Sequence, residues 1–317
     1  MRAAAIAMLL LAACGGSTNL PDDPDAPDAA KGAPPPKGDA GVRGRSVRFV
    51  MLGDQGTGMP EQWQVAGAVT ELCAREGCDF AVTLGDNLYH DGTNDVTDPV
   101  WQEEFELPYA SLALPFHVLL GNHDYGPHGH DPVWADREVA YTAHSQKWSL
   151  PAKHYTFTEG PVGFVMTDTT AFIVDADGDG QRAWWPEALA TARQAPWVLA
   201  LGHHPYRSNG HEGNADAYGA RFVSFMDELV CGQVDLYISG HAHDREWFDA
   251  PALCGGTELI VNGASGEVDR FESADTQVRW HDDTRPGFLY VVADDHHFTA
   301  RFVSGDGTTD YERTLTK

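Results

Sequence analysis

Five short apolar runs in this 317-residue chain end in a glycine followed at once by a side chain with a lone pair to give: Gly53-Asp54, Gly85-Asp86, Gly121-Asn122, Gly202-His203 and Gly240-His241. Carboxylate, carboxamide and imidazole are the oxygen and nitrogen donors that hold divalent and trivalent metals. One Gly-Asp pair is ordinary turn or cap chemistry. Five in series, each behind a strand-length apolar run, require another account. In α/β sheets ligands gather beyond the carboxyl ends of the strands, and glycine lets the backbone turn sharply off the sheet there. The five segments are therefore expected to converge on one site. Two further donors stand nearby: Tyr89, in Gly85-Asp86-Asn87-Leu88-Tyr89, and His243, in His241-Ala242-His243. A lone His-x-His is most often a surface or core pair. Behind Ile238-Ser239-Gly240, and completing the series, it reads as a pair of ligands whose imidazoles leave a turn toward different ions.

The elements that must position these residues follow from the pattern around them. From Val47 onward, β-branched runs alternate with amphipathic stretches, as in βαβ units of an α/β fold. Strands are predicted over 47–52, 79–84, 115–120, 162–167, 196–201, 234–239, 257–262, 287–293 and 297–303, the last three as antiparallel additions. Val65, Val69, Leu72 and Cys73 share one face of a helix that Gly77 ends. Tyr218, Phe222, Phe225, Met226 and Leu229 mark a second helix. No repeat is found, and residues 46–317 read as one domain, long enough to need two stacked sheets.

The ordered series resembles the metallophosphoesterases over about residues 46 to 300. Their motifs run D-x-H or G-D-x-G, then G-D, G-N-H-D/E, an isolated His, and G-H-x-H. Gly56 stands here where generic members carry a metal-binding His. The G-D-x-x-Y of Gly85 to Tyr89 is similar to that of the purple acid phosphatases, the tartrate-resistant acid phosphatase-like branch of the calcineurin-like metallophosphoesterases. The resemblance implies a four-layer α/β/β/α sandwich of two mixed sheets flanked by helices. It also implies that Asp54, Asp86, Tyr89 and His243 hold a first metal, and that Asp86, Asn122, His203 and His241 hold a second. Hard anionic oxygens suit Fe(III) in the first site, while amide and imidazoles suit divalent Fe, Zn or Mn in the second. A phenolate beside a trivalent ion ionises well below its usual pKa. His123 matches the family histidine that contacts phosphate, and His211 resembles the second outer-sphere histidine; Asp124 is expected to orient His123. The implied activity is hydrolysis of phosphomonoesters by a hydroxide generated at the dinuclear site. Phosphodiesterases and nucleotide phosphatases share the fold, and a metal-binding surface lipoprotein without turnover is the alternative from another class.

Residues 1–17 have the shape of a secretory signal: Arg2, an apolar run from Ala3 to Ala13, then Cys14 in a lipobox-like setting that predicts a lipid-anchored bacterial envelope protein. A periplasmic or secreted protein is the alternative. Residues 18–45, rich in Pro and Asp, lack the apolar surface to fold and read as an extended tether. A net charge of −26 leaves no basic stripe for nucleic acid. The resemblance implies a small phosphate ester as the partner; a lipid anchor is the only membrane contact expected, and a monomer the expected state. Besides Cys14, the cysteines are Cys73, Cys78, Cys231 and Cys254, an even number in an exported chain. Of three possible pairings, Cys73 with Cys78 and Cys231 with Cys254 close the shortest loops. The segment Asp175-Ala176-Asp177-Gly178-Asp179-Gly180 imitates the start of a calcium loop, but its twelfth position is Pro186. There is no nucleophile elbow or P-loop.

Overall fold

Strand β1 (Val47–Leu52) carries apolar side chains on both faces, and its alternation sorts them between two cores: Val50 and Leu52 point one way, Phe49 and Met51 the other. Such a strand belongs inside a sheet covered on both sides. In the computed structural model, which describes residues 46–317 apart from 176, 177, 250, 274 and 275, that is where it lies. It pairs parallel with β2 (Phe80–Thr83) and antiparallel with β12 (Gly287–Ala293). The first sheet runs β14 (Thr309–Thr316), β13 (His297–Ser304), β12, β1, β2, β3 (Phe116–His117), β4 (Trp148–Ser149). The second runs β11 (Val278–Asp282), β9 (Arg245–Phe248), β10 (Glu258–Asn262), β8 (Leu236–Ser239), β7 (Trp197–Leu201), β6 (Val162–Met166), β5 (Tyr155–Glu159).

The two sheets face one another across Met51, Val82, Phe164, Leu199, Ile238 and Leu289. Phe49 stacks on Phe80 at 4.9 Å within its own sheet and meets Phe164 of the other edge-on at 5.5 Å. Helices α1 (Pro60–Glu76) and α2 (Pro132–Tyr141) cover the outer face of the first sheet through Val65, Val69, Leu72 and Tyr141. Helices α3 (Thr169–Val174), α4 (Gln181–Ala192) and α5 (Ala220–Phe225) cover the second through Phe172, Trp185, Leu189, Phe222 and Phe225. The layers are helix, sheet, sheet, helix, as the resemblance implied. Disulfides join Cys73 to Cys78 and Cys231 to Cys254. The signal segment 1–17 with Cys14, the tether 18–45 and part of the calcium-like segment lie outside the described residues.

The structure corrects several sequence expectations. The strand expected over 115–120 pairs only at Phe116 and His117. Beyond it, side chains take the backbone acceptors a ladder would use: Tyr155 donates to the Val118 carbonyl and Asn87 to that of Leu119. The strand at 258–262 is not grouped with the two that follow it; β10 lies in the second sheet, parallel to β8, while β12 and β13 are antiparallel in the first. The helix expected around 218–229 is α5 flanked by a 3₁₀ turn (Ala215–Tyr218) and a π turn (Met226–Val230). Strands β4, β5, β9, β11 and β14 had no apolar run to announce them. β9 is the instructive case, because its Arg245 and Glu246 are buried charges with partners: Asp282 and Asp310 for the first, Ser208 and Asn209 for the second.

Candidate metal centre

All seven expected ligands stand at the carboxyl ends of strands or in the turns that follow. Three of them sit where L-residues rarely do: Asp54, Asp86 and His241 have φ of 57°, 50° and 67°. Such backbone persists where the surroundings over-determine it, and it clusters at functional sites. The surroundings are visible here. The Asp54 amide donates to the Gly85 carbonyl (3.1 Å), and the His241 amide donates to Asp54 Oδ2 (2.8 Å), so the turns after β1, β2 and β8 hold one another. Gly85, at φ 91°, could not carry a side chain, since a Cβ would lie 2.5 Å from His203 Nδ1. A Cβ on Gly56 would lie 1.7 Å from the Asn87 carbonyl oxygen, so this position cannot carry the histidine of generic members. Tyr89 reaches the cluster instead.

The donor atoms converge in two groups that share Asp86. In the first, Tyr89 Oη lies 3.1 Å from Asp86 Oδ2, 3.3 Å from Asp54 Oδ1 and 3.1 Å from His243 Nε2. In the second, His203 Nε2 lies 3.3 Å from Asp86 Oδ2, 3.0 Å from Asn122 Oδ1 and 3.0 Å from His241 Nδ1. His203 Nδ1 donates to the Leu84 carbonyl at 2.8 Å, so Nε2 is the ring nitrogen turned to the cluster. The two histidines of His241-Ala242-His243 thus offer opposite ring nitrogens, Nδ1 and Nε2, to the two groups.

Electrostatics here call for a cation. Burial raises the pKa of Asp54 despite nearby imidazoles, with Asp86 adding to the rise. Burial opposes the charge on Asp86 too, but His203 and its neighbours outweigh it and hold this carboxyl well below the usual range. Burial, then Asp86 and Asp54, push the Tyr89 phenol well above its ordinary pKa. Two dehydrated carboxylates and a phenol share one small space with only imidazoles to balance them, an arrangement that a multivalent ion would relieve. The hard oxygen set of the first group and the mixed amide and imidazole set of the second both fit such ions.

Around the cluster the structure sorts the remaining candidates. The His123 amide donates to Asp86 Oδ1 (2.9 Å), its ring leans on Tyr89 at 4.4 Å between centroids, and its Nε2 is 3.9 Å from Asp86 Oδ2. Its Nδ1 donates to the His90 carbonyl, so Asp124 does not orient it. Asp124 instead accepts from the Asn87 amide and side chain, both at 2.8 Å, and from the Gly121 amide at 2.7 Å, tying the turn after β2 to the segment after β3. His211 is not brought to the cluster. Its imidazole is exposed and pairs with Glu272 at 2.6 Å, whereas the adjacent Glu212 reaches to 3.4 Å from His241 Nε2. His204, next in the chain to His203, is buried. The Thr169 hydroxyl accepts from the His203 and His204 amides at 3.1 Å each, so its own hydrogen points to His204 Nδ1 at 2.9 Å. Burial holds this imidazole well below its ordinary pKa.

Sequence reading missed three carboxylates. Glu104, on a π turn (Trp101–Glu106), accepts the Tyr89 amide at 2.9 Å. Glu212 faces His241, and Asp269 lies 3.0 Å from His243 Nδ1. Glu212 had a signal, its place beside His211; the other two are brought in by a π turn and a loop of no distinctive spacing.

Tartrate-resistant acid phosphatase type 5 of Homo sapiens is 26% identical over 310 residues, covering 85% of this chain and 91% of that protein. Purple acid phosphatase 3 of Arabidopsis thaliana is 29% identical over 222 residues, covering 63% and 58%. Among solved structures, GAP50, the anchor in the inner membrane complex of Plasmodium, superposes with a TM-score of 0.69 at 21% identity, over 86% of this chain and 89% of that one. A dimetal phosphatase from Danio rerio gives 0.55 at 13% identity, over 85% and 98%. These two likenesses are of fold. Residues 47–245 match the calcineurin-like phosphoesterase family, and the chain belongs to it.

Proposed function

We propose that this protein is an exported acid phosphatase of the purple acid phosphatase type, hydrolysing phosphomonoesters at a two-metal site. Asp54, Asp86, Tyr89 and His243 would hold Fe(III), and Asp86, Asn122, His203 and His241 a divalent Fe, Zn or Mn. The observation that carries the reading is Tyr89 Oη among Asp54, Asp86 and His243, a phenol where the family otherwise places an imidazole. Bound ions would lower the pKa of a water and neutralise the phosphoryl oxygens. The chain's own groups then do the rest. Asp54 and Asp86, fixed by the His241 and His123 amides, would set where those ions sit. His123 supplies the proton for the leaving alkoxide: the His90 carbonyl keeps a hydrogen on its Nδ1, so Nε2 is the atom that gains and loses the second one. Export is supported by the two disulfides, which persist in oxidising compartments. Anchoring through Cys14, with residues 18–45 as tether, belongs to the same proposal.

Elemental analysis, a visible spectrum and aryl phosphate hydrolysis by the purified protein test it together. Two metals per chain, a tyrosinate-to-iron charge-transfer band and release of phosphate at acidic pH are expected. A metal-loaded protein inert toward aryl phosphates and diesters across acidic and neutral pH would instead favour a binding protein without turnover.

A further inference from the structure

His241-Ala242-His243 places two imidazoles two residues apart, and nothing in the tripeptide decides which ring nitrogen each one offers. The loops around it do. His241 directs Nδ1 to within 3.0 Å of His203 Nε2, and its Nε2 lies 3.4 Å from Glu212 Oε2. His243 directs Nε2 to within 3.1 Å of Tyr89 Oη, and its Nδ1 lies 3.0 Å from Asp269 Oδ2. In each ring the nitrogen away from the cluster faces a carboxylate. A carboxylate only accepts when ionised, so it keeps the hydrogen on the nitrogen facing it and leaves the other as a lone pair.

The two carboxylates come from different loops, and those loops are bolted together. Asn209 accepts the Glu272 and Ser273 amides on its carbonyl at 3.1 and 3.2 Å, and its side chain exchanges hydrogen bonds with Thr276 at 3.0 and 2.9 Å. His211 pairs with Glu272 across the same seam. The Asp269 amide donates to the His243 carbonyl at 2.9 Å, which fixes the second loop directly to the motif. The seam that carries His211 away from the cluster is therefore what sets Glu212 and Asp269 in place.

We infer that Glu212 and Asp269 are positioning residues that assign His241 to the second metal through Nδ1 and His243 to the first through Nε2. The inference rests on the two-metal reading above. Its test uses the full-length protein, stripped of metal and reloaded with ferric iron and then zinc, with metal content, zinc titration and the tyrosinate band as readouts. Glu212→Ala should weaken the zinc equivalent about 10- to 100-fold and leave the band unchanged; Asp269→Ala should diminish the band and the iron content while zinc affinity falls far less. Glu212→Gln, whose amide oxygen can still accept from His241, should restore zinc binding to within a few-fold of the parent. Both alanine variants behaving as the parent, or each losing both metals equally, would overturn the assignment. If an alanine variant fails to fold, the Gln and Asn variants decide: Glu212→Gln losing both metals, or Asp269→Asn leaving the band unchanged and weakening zinc, also overturns it. A parent protein that takes up fewer than two metals or shows no band would sink the two-metal reading instead.

Discussion

Asp124→Ala probes the joint between the turn after β2 and the segment after β3. The carboxylate accepts three hydrogen bonds at 2.7 to 2.8 Å from buried donors, and bonds to a charged group are worth about 2 kcal/mol each. Losing all three costs about 6 kcal/mol. Against this, burial, with Asp86 adding, pushes the Asp124 pKa up to about 6, so removing an ionised carboxyl at neutral pH returns about 3 kcal/mol. The net cost at pH 7 is about 3 kcal/mol. The pH dependence gives a sharper signature. A folded pKa raised above the unfolded one means a stabilising contribution present in full below the unfolded value and lost as pH rises through the folded one. The parent therefore gains stability relative to the variant as pH falls from about 7 toward 4, and the cost of Asp124→Ala should grow by about 3 kcal/mol over that window. Urea unfolding with a chelator present, followed by tryptophan fluorescence, measures both. At a slope of about 3 kcal/mol/M the midpoint should fall by about 1 M at neutral pH, and further in acid. A difference that shrinks toward low pH, or a shift under about 0.3 M at pH 7, would refute the account of Asp124 as a buried acceptor whose charge burial opposes.

Three more outcomes are expected. Tyr89→Phe should bleach the oxidised protein without unfolding it, since only a hydroxyl is removed from a buried ring; persistent colour in the spectrum would remove Tyr89 from the iron. His123→Ala should lower kcat on an aryl phosphate by about 100-fold or more, as loss of a general acid does, whereas His211→Ala should cost less than about tenfold because its imidazole pairs with exposed Glu272. Replacing both Cys231 and Cys254 by Ser should lower stability by about 3 kcal/mol in the same urea assay, from the loop their 23-residue separation closes.

How much of this was legible depended on whether the signal was local. The convergence of seven donor residues was, because each lies in a Gly-polar step or within three residues of one. The strands buried on both faces were equally plain in their apolar runs. What could not be read was set by pairing across long separations. β9 looks like a polar stretch until Asp282 and Asp310 are seen to neutralise Arg245. The direction of His211 depends on Glu272, 61 residues on, and the position of Glu212 on that same seam. Asp124 sits beside His123 in sequence, and adjacency suggested a partnership that the three backbone and side-chain donors around it override.

Strand β1 is hydrogen-bonded on both sides and carries Asp54 immediately beyond its end. Its amides, with those of β2, should be among the last to exchange with deuterium, through opening of the whole domain. The segments bearing Glu212 and Asp269 lie outside both sheets, held by isolated hydrogen bonds and not by a ladder, and both carboxylates are about half exposed, so they should exchange sooner. Asp54, Asp86, His203 and His241 thus follow inner strands of the two sheets, while the carboxylates behind His241 and His243 sit in faster-opening loops. On the two-metal reading, an ion would leave as those loops loosen around His241 and His243, at a rate unrelated to global unfolding, with Asp54 and Asp86 still in place to receive the next one.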